Sequence, residues 1–284
     1  MAFLPLPSVN VGVGTNVTRW LELGGRGIDT AHDREVFKDD HAVRDAMAAL
    51  PRLGIERRDV HVTSKIKCLP SSFGGAPNAV PARDAYADVL EGLKRSGARY
   101  FDLLLLWFPC NTLTQTVDTY QRLQPLVREG HVRALGVSNF NASLLDALVA
   151  RVAVRPIVDQ CGLSVAGHRS ERWGSSFETV GRSRALGIAY AAYSPLGRVT
   201  RVSGVLGLPA VRFIAARHNA SSAQVALRWL VQQGIAIVTA TRSDAHMAEV
   251  LASAHGPVLT HHEMDALDAV PDACEERVGN NRCE

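Results

Sequence analysis

Long apolar runs are absent from this sequence of 284 residues, which has no stretch of about 18 consecutive apolar residues. We therefore predict no membrane-spanning helix. Residues 1–5 lack the basic start and long apolar run of a secretory signal, so we expect a cytoplasmic protein. Runs of five or six like charges are also missing, and 31 basic against 28 acidic side chains leave a formal charge of only +3. Nucleic acid and membranes are thus not expected as partners.

Cysteine is scarce and scattered. The five cysteines form no C-x-x-C pair and no cysteine–histidine cluster at the spacing of zinc ligands. We therefore predict reduced thiols and no metal site. A disulfide between Cys274 and Cys283 is the alternative that the sequence leaves open. The other three cysteines are Cys68, Cys110 and Cys161.

Short apolar runs alternate with longer amphipathic stretches along the whole chain. With 46% hydrophobic residues, the chain can bury a large core. This alternation is typical of parallel βα units, and eight such runs favour a closed α/β barrel of the (β/α)8 or TIM type, formed as one domain by residues 1–284. The predicted strands are residues 9–15, 27–31, 60–65, 100–107, 132–138, 157–162, 188–194 and 235–241.

Helical spacing of apolar residues predicts the connecting helices. Several of them begin after a Ser, Thr, Asn or Asp that suits an N-cap. A first helix of barely two turns is expected between the first two strands, and the Pro/Gly/Ser-rich residues 68–82 are expected to form a long loop. The predicted helices are residues 17–23, 82–95, 114–128, 142–151, 175–186, 221–233 and 244–253.

The residues that close the predicted strands carry a pattern, and in such a barrel the active site forms at these strand ends. The motifs, in chain order, are Gly27-Ile28-Asp29-Thr30-Ala31, Thr63-Ser64-Lys65, the run from Asp102 to Leu106 before Phe108-Pro109, Gly136-Val137-Ser138-Asn139-Phe140, Asp159-Gln160, the run from Ala192 to Gly197, and the run from Ala223 to Trp229. Taken together in this order, they resemble those of the aldo-keto reductase family across nearly the whole chain.

The resemblance implies a nicotinamide cofactor, usually NADPH, bound across the barrel mouth without a Rossmann glycine-rich turn. The nearest G-x-G-x-x-G match has Val17 in place of the third glycine. By the same resemblance, three residues would hold the nicotinamide carboxamide, one would stack on the ring, and three would line the pyrophosphate. These are, in that order, Ser138, Asn139 and Gln160, then Tyr193, then Ser194, Leu196 and Gly197.

Residues 241–246 would approach the adenosine phosphate, and here the sequence departs from the family. Ala240 stands where a lysine usually meets the 2′-phosphate, and Arg242 is the nearest cation. A planar guanidinium can bind a phosphate through two hydrogen bonds, so we expect NADPH, with NADH as the other cofactor this turn could accept.

The catalytic positions are half retained. In the family a tyrosine donates a proton, a lysine paired with an aspartate makes that phenol more acidic, and a histidine orients the carbonyl. Asp29 and Lys65 match that pair, although such a pair could also be purely structural. The tyrosine position falls on Arg34 or, with three inserted residues, on Phe37, and no tyrosine precedes Tyr86.

The histidine position is occupied by Trp107, whose indole N–H can donate a hydrogen bond but cannot shuttle a proton near neutral pH. Three functions remain open. The first is a reductase of an activated carbonyl or alkene in which Lys65, His32, Arg34 or water supplies the proton. The second is a non-redox isomerase, dehydratase or cyclase that uses Asp29 and Lys65. The third is an NADPH-binding protein without turnover.

Loss of a positioned general acid lowers rates by about 10²–10⁴-fold, so a reductase of this kind would be slow on ordinary aldehydes. We expect an apolar or aromatic small-molecule substrate, because four features could line the pocket: Trp20, Trp107, Phe108 and the loop of residues 68–82. Aromatic side chains at strand ends can also serve only as packing. Family members with long C-terminal loops close them over the substrate, so the shorter polar tail of residues 271–284 predicts an open substrate site. We also expect a monomer or a weak dimer.

Overall fold

Eight short parallel strands form a closed barrel, which confirms the predicted fold. The computed structural model describes residues 6–12, 14–31, 40–68, 84–197 and 204–272. In this part of the chain each strand pairs with its neighbours in sequence, and the last pairs with the first. The strands are β1 (Val9–Val11), β2 (Gly27–Asp29), β3 (His61–Ile66), β4 (Phe101–Leu106), β5 (Val132–Ser138), β6 (Val158–Gly162), β7 (Ala189–Tyr193) and β8 (Ala236–Thr239).

The seam between β1 and β8 closes the barrel. Val9 is in register with Ile237, and hydrogen bonds from Ile237 N to Ser8 O (2.8 Å) and from Gly12 N to Thr239 O (2.7 Å) extend the pairing beyond the three residues of β1. Every other neighbouring pair joins barrel strands that are consecutive in the chain, and a small antiparallel sheet of Arg169–Ser170 and Ser175–Ser176 lies between β6 and β7 in sequence.

Ten α-helices and four short 3-10 helices are seen in the described residues. The seven predicted ones are present, within a few residues of their expected ends, and three were missed: the helices over Asp40–Ala49, Pro209–Arg217 and His261–Asp268. They are α1 (Val17–Glu22), α2 (Asp40–Ala49), α3 (Ala85–Ser96), α4 (Leu113–Arg128), α5 (Ala142–Val149), α6 (Phe177–Ala185), α7 (Pro209–Arg217), α8 (Ser222–Gln232), α9 (Asp244–Ser253) and α10 (His261–Asp268).

Sequence signals for two of the missed helices were available. Helix α7 starts with a proline at its first position, and α10 carries a capping box in which Thr260 and Glu263 satisfy each other's backbone N–H groups. None of the helices in the described ranges is both long and apolar enough to cross a membrane.

The strands bury apolar side chains on both faces. Outward-facing residues pack under the helices in two large clusters. Inward-facing residues form a small cluster within the barrel, made of Leu103, Leu105, Ala134, Val158, Ala191 and Ala236. Because side chains alternate along a strand, each inward position repeats two residues further on. The same alternation therefore determines which side chains reach the mouth of the barrel.

Candidate active site

Six of the side chains singled out in the sequence lie on the inward face where the strands end. Trp107 continues the inward series of β4, Ser138 that of β5, Gln160 that of β6 and Tyr193 that of β7, each two or four residues beyond a member of the inner cluster. Lys65 is in register with the inward-facing Leu105, and Asp29 with Thr63 of the same face. The barrel brings these groups together at its C-terminal edge, where barrel enzymes carry their chemistry.

Asp29 and Lys65 form a buried ion pair, each with only 6% of its surface exposed. Lys65 Nζ donates a hydrogen bond to Asp29 Oδ1 and a second one to the carbonyl of Thr30 at 3.2 Å. Gln160 Nε2 donates to the other carboxylate oxygen, Asp29 Oδ2, at 2.7 Å. The carboxylate is thus held from two strands, and the ammonium group is fixed at the mouth.

Gln160 has a contact that the sequence did not reveal. We predicted only a cofactor role for it, yet its amide also orients Asp29, which lies 131 residues away in the chain. No local pattern links the two residues, since the contact exists only because the barrel closes.

A second hydrogen-bonded group joins the ends of β5, β6 and β7. Ser138 Oγ donates to the carbonyl of Gln160 (2.6 Å), and Asn139 Nδ2 donates to the carbonyl of Trp107 (2.8 Å). Tyr193 donates its phenol proton to Asn139 Oδ1 (2.8 Å). Burial raises the pKa of the Tyr193 phenol, so the ring stays neutral throughout the physiological range.

The backbone is left-handed at two of these strand ends. Asn139 has a φ of 65° and Ser194 a φ of 52°, values that residues other than glycine rarely adopt. After Ser194 the chain turns through Leu196 to Gly197, whose N–H donates to the Ser194 carbonyl at 2.9 Å. Such positions persist where the surrounding structure demands them, often at binding sites.

Residues 241–246 form the turn into helix α9. Thr241 N donates to Thr15 Oγ1 (3.2 Å), which fastens the turn to the segment after β1. Ser243 caps the helix, and the Arg242 side chain is exposed beside this N-terminus. Asp244 at the first helical position accepts a hydrogen bond from Arg19 Nε at 2.8 Å.

An aromatic group flanks the ion pair on the β4 side. The Trp107 and Phe108 rings are stacked, with centroids 5.9 Å apart, and Phe108 meets Trp173 edge-on at 5.6 Å. Trp20 does not belong to this group, so the prediction that it lines the pocket is wrong. It is fully buried in the outer core, where its indole donates to the Gly27 carbonyl at 3.0 Å.

Several predicted residues lie outside the described part of the chain. These are Phe37, Arg34 and His32, the loop of residues 68–82 apart from Cys68, and residues 273–284 of the tail, which include Cys274 and Cys283.

Cys68 and Cys110 form a disulfide, so the prediction of reduced thiols is wrong for this pair. The two cysteines are 42 residues apart in sequence, and no motif signals their pairing. They meet because Ile66 and Leu106, the last residues of β3 and β4, are in register, and each cysteine follows its strand by a few residues. The bond therefore lies at the C-terminal edge of the barrel, next to the strand ends that carry Lys65 and Trp107.

Asp159 and Cys161 form a buried polar pair on the outer face of β6. Cys161 Sγ donates to Asp159 Oδ1 at 3.3 Å, and burial raises the pKa of both groups. They flank Gln160 in sequence but point away from the mouth. No cluster of residues able to hold a metal ion is found in the described ranges.

A cavity of about 660 Å³ lies at the opposite end of the barrel. Its lining includes Ala134, Ile157 and Ala236, at or next to the starts of β5, β6 and β8. Arg133 in its lining is paired with the buried Asp102 at 3.1 Å, so this end also holds an ion pair, but barrel enzymes place their chemistry at the other end. We therefore assign the reactive groups to the C-terminal mouth.

Comparison with known proteins identifies the same family that the sequence motifs resemble. The model of the Aldo/keto reductase family matches residues 15–272. An aldo-keto reductase of Mycolicibacterium smegmatis is 31% identical and covers 96% of this chain and 89% of its own. A 9,11-endoperoxide prostaglandin H2 reductase of Trypanosoma cruzi is 30% identical and covers 94% of this chain and 84% of its own.

Solved structures agree with this match. A Bombyx mori aldo-keto reductase in complex with NADP superposes with a TM-score of 0.77 at 27% identity, covering 94% of this chain and 89% of that one. An aldo/keto reductase from Brucella melitensis gives a TM-score of 0.75 at 26% identity, covering 93% and 94%.

Proposed function

The chain belongs to the aldo/keto reductase family, a family of NADP-dependent oxidoreductases, and from this premise we propose that it reduces a small activated carbonyl or alkene with NADPH. The proton cannot come from the usual tyrosine, because no tyrosine precedes Tyr86 in the sequence. The observation that carries the proposal is the buried Asp29–Lys65 pair joined through Gln160 to the amide and hydroxyl groups of the mouth.

The mouth residues fit a nicotinamide. Ser138, Asn139 and Gln160 offer both donors and acceptors, as a carboxamide requires, and the neutral ring of Tyr193 offers a face for stacking. NADPH, when bound, supplies the hydride. We assign the carboxamide contacts to the first three residues and the stacking to Tyr193, as in the family that the chain resembles.

The phosphate end of the cofactor fits less closely. The turn of Ser194, Leu196 and Gly197 would lie along the pyrophosphate, supported by its left-handed backbone at Ser194 and by the positive φ of Gly197 (93°). Arg242, exposed beside the N-terminus of α9, would meet the 2′-phosphate. Asp244 in the same turn carries the opposite charge, so NADH is the competitor to test against NADPH.

Lys65 is the proton donor that we propose. Its ammonium group is fixed by Asp29 Oδ1 and the Thr30 carbonyl, which leaves one N–H to donate to the oxygen, or to the carbanion carbon, of a reduced substrate. Asp29 holds the Lys65 ammonium group in position through their ion pair, and solvent would return the proton after each turnover. Trp107 can orient the substrate by hydrogen bonding or by stacking, and cannot replace a histidine as a proton carrier.

A protein that binds NADPH without turnover is the second candidate. The amide and tyrosine side chains assigned to the nicotinamide are all present, whereas Trp107 stands at the position of the histidine that orients the carbonyl. This combination favours a protein that binds NADPH without turning over a substrate. A non-redox enzyme that uses Asp29 and Lys65 for proton transfer would retain the same groups. Binding and rates together separate these functions.

The experiment has two steps. NADPH and NADH are first titrated against the protein by fluorescence, and then NADPH absorbance is followed with a panel of activated carbonyls and enones. Lys65→Met removes the proposed donor, and Lys94→Met, on the exposed face of α3, is the matched control. We expect turnover in the wild type and in Lys94→Met, and a rate lower by about 10²-fold or more in Lys65→Met.

Equal rates in Lys65→Met and the wild type would refute the role of the lysine. NADPH binding with no consumption across the panel would favour the non-redox or regulatory function instead. A titration with no binding of either cofactor would remove every function that depends on a cofactor, namely the reductase and the NADPH-binding protein.

A further inference from the structure

We propose that Cys68 and Cys110 are a thiol–disulfide exchange site that sets the geometry of the substrate side of the candidate active site. The bond joins the segments that follow β3 and β4, three residues beyond Lys65 and three beyond Trp107. The existence of the exchange site does not depend on the proposed function, whereas its effect on substrate rests on it.

The side chains around the two sulfur atoms can accommodate both the disulfide and the two reduced thiols. Thr119 on α4 places its hydroxyl 3.8 Å from Cys68 Sγ and 3.5 Å from Cys110 Sγ. Once the bond is broken, both thiols can hydrogen-bond to this hydroxyl, which has two acceptor lone pairs. Reduction therefore leaves neither thiol without a partner. Cys110 is also held through its backbone, since its N–H donates to Thr116 Oγ1 at 2.9 Å. The pair can thus open without unfolding the barrel edge.

The bond constrains the aromatic group of the mouth. Cys110 lies two residues beyond Phe108, which stacks on Trp107 and meets Trp173. Breaking the bond frees the segment after β4 from β3 and loosens the position of these rings. The groups assigned to the nicotinamide lie at the ends of β5, β6 and β7. Their hydrogen bond to the segment after β4 runs from Asn139 Nδ2 to the backbone carbonyl of Trp107, and that backbone is held to β3 in either redox state, since the Trp107 N–H donates to the Ile66 carbonyl at 2.9 Å. Reduction should therefore alter the binding of substrate and leave the affinity for NADPH unchanged.

The exchange partner is a small thiol such as glutathione. Its thiolate attacks Cys110 Sγ, because Cys110 is 8% exposed and Cys68 is completely buried. A new bond forms between the partner's sulfur and Cys110, the bond between the two cysteines breaks, and the Cys68 thiolate takes up a proton. A second thiolate attacks the partner's sulfur, which releases the oxidised partner and leaves Cys110 as a thiol. Two thiols are oxidised as one disulfide is reduced.

Cys161 provides a matched control. It is a buried free thiol, and burial beside Asp159 raises its pKa, which keeps it protonated and unreactive. Cys161→Ser retains a donor for Asp159 and should leave the exchange unchanged. Cys68→Ala/Cys110→Ala removes the site.

The test uses the full-length protein equilibrated with mixtures of reduced and oxidised glutathione. Alkylation and peptide mapping give the fraction of linked Cys68–Cys110, and tryptophan emission reports the rings of Trp107 and Trp173. We expect the linked fraction to follow the glutathione ratio and emission to change with it. On reduction, KM for a substrate of the panel should rise about 2- to 12-fold, the cost of leaving one side chain unordered, while the Kd of NADPH stays constant.

Cys68→Ala/Cys110→Ala should match the reduced wild type at every ratio, and Cys161→Ser should follow the wild type. The proposal is overturned if the linked peptide is never found, if the linked fraction changes while both emission and KM stay constant, or if the double variant still responds to glutathione. If no substrate is turned over, the proposed function fails, and peptide mapping with emission still decides the exchange site.

Discussion

Removing one partner of the Asp29–Lys65 pair should destabilise the protein strongly. Lys65→Met keeps the length of the side chain and deletes its charge, which leaves a carboxylate only 6% exposed with Gln160 Nε2 as its remaining side-chain donor. Breaking a buried pair in this way costs about 3–5 kcal/mol. Asp29→Asn keeps an amide oxygen and the Thr30 carbonyl as acceptors for the ammonium but removes the compensating negative charge, and it should cost a similar amount.

The double variant Asp29→Asn/Lys65→Met carries neither charge, so it should cost no more than either single change. The coupling free energy between the two residues is then on the order of 3–5 kcal/mol. Two unit charges about 4 Å apart attract by about 4 kcal/mol at an effective dielectric constant of about 20, which gives the same magnitude. Since a domain of this kind is stable by about 5–15 kcal/mol, each single variant stays folded only with a reduced margin.

Urea unfolding followed by circular dichroism measures the four free energies of this cycle. The half-exposed pair of Arg182 Nε and Asp146 Oδ1 (2.7 Å) is the matched control, and its cycle of Arg182→Met with Asp146→Asn should give about 0.2–1 kcal/mol. Single effects of Asp29→Asn and Lys65→Met that add to within about 0.5 kcal/mol would refute the reasoning. The cycle also shows whether any loss of activity in Lys65→Met reflects unfolding.

Three further predictions concern other sites. Tyr193→Phe keeps the ring and should leave the Kd of NADPH within about threefold, while Tyr193→Ala should raise it by about 5- to 150-fold, and fluorescence titration giving equal effects would exclude stacking. Gly25→Ala would place a methyl group 2.1 Å from the Trp20 ring and should cost about 2 kcal/mol or more in urea unfolding, whereas Gly181→Ala in α6 meets nothing within 4 Å and should stabilise by about 0.5–1 kcal/mol. A side-chain hydrogen bond from His218 and a backbone one from Thr260 lower the pKa of Glu263 from 4.5 to about 2, so Glu263 stabilises the folded state at pH values above about 4.5 and this contribution, at most about 3 kcal/mol, is lost as the pH falls towards 2. The stability difference between the wild type and Glu263→Gln should accordingly shrink only below about pH 4.5, and a difference that does not change with pH would contradict the assignment.

The barrel and most of the site could be predicted because both follow from local patterns. Parallel strands covered on both faces are continuously apolar, so each βα unit is visible in sequence, and strand alternation sends Lys65, Ser138 and Gln160 to the mouth. Strand ends were overestimated: residues 9–15 were expected in β1, but the strand ends at Val11, and Gly14 has a φ of 87°. Propensity cannot locate an end that is set by tertiary hydrogen bonds.

The contacts that were missed all join residues far apart in the chain. The Cys68–Cys110 bond and the Gln160–Asp29 hydrogen bond require the register of neighbouring strands and the closure of the barrel, which no local motif encodes. Trp20 was expected near substrate because it follows the first strand. The short helix α1 instead turns the ring outward and under Gly25, so it packs in the core.

The β1–β8 seam determines where the barrel can open and how the protein can then aggregate. Val9 pairs with Ile237, so the three-residue β1 can pair with β2 early but stays unpaired on its other side until nearly the whole chain has folded. If that seam opens, β1 and β8 become edges with unpaired N–H and C=O groups, which are templates for pairing with strands of other molecules. Heat or storage should therefore drive the protein to aggregate through these edges before its other strands separate, and additions to the N-terminus that hinder β1 should hasten precipitation.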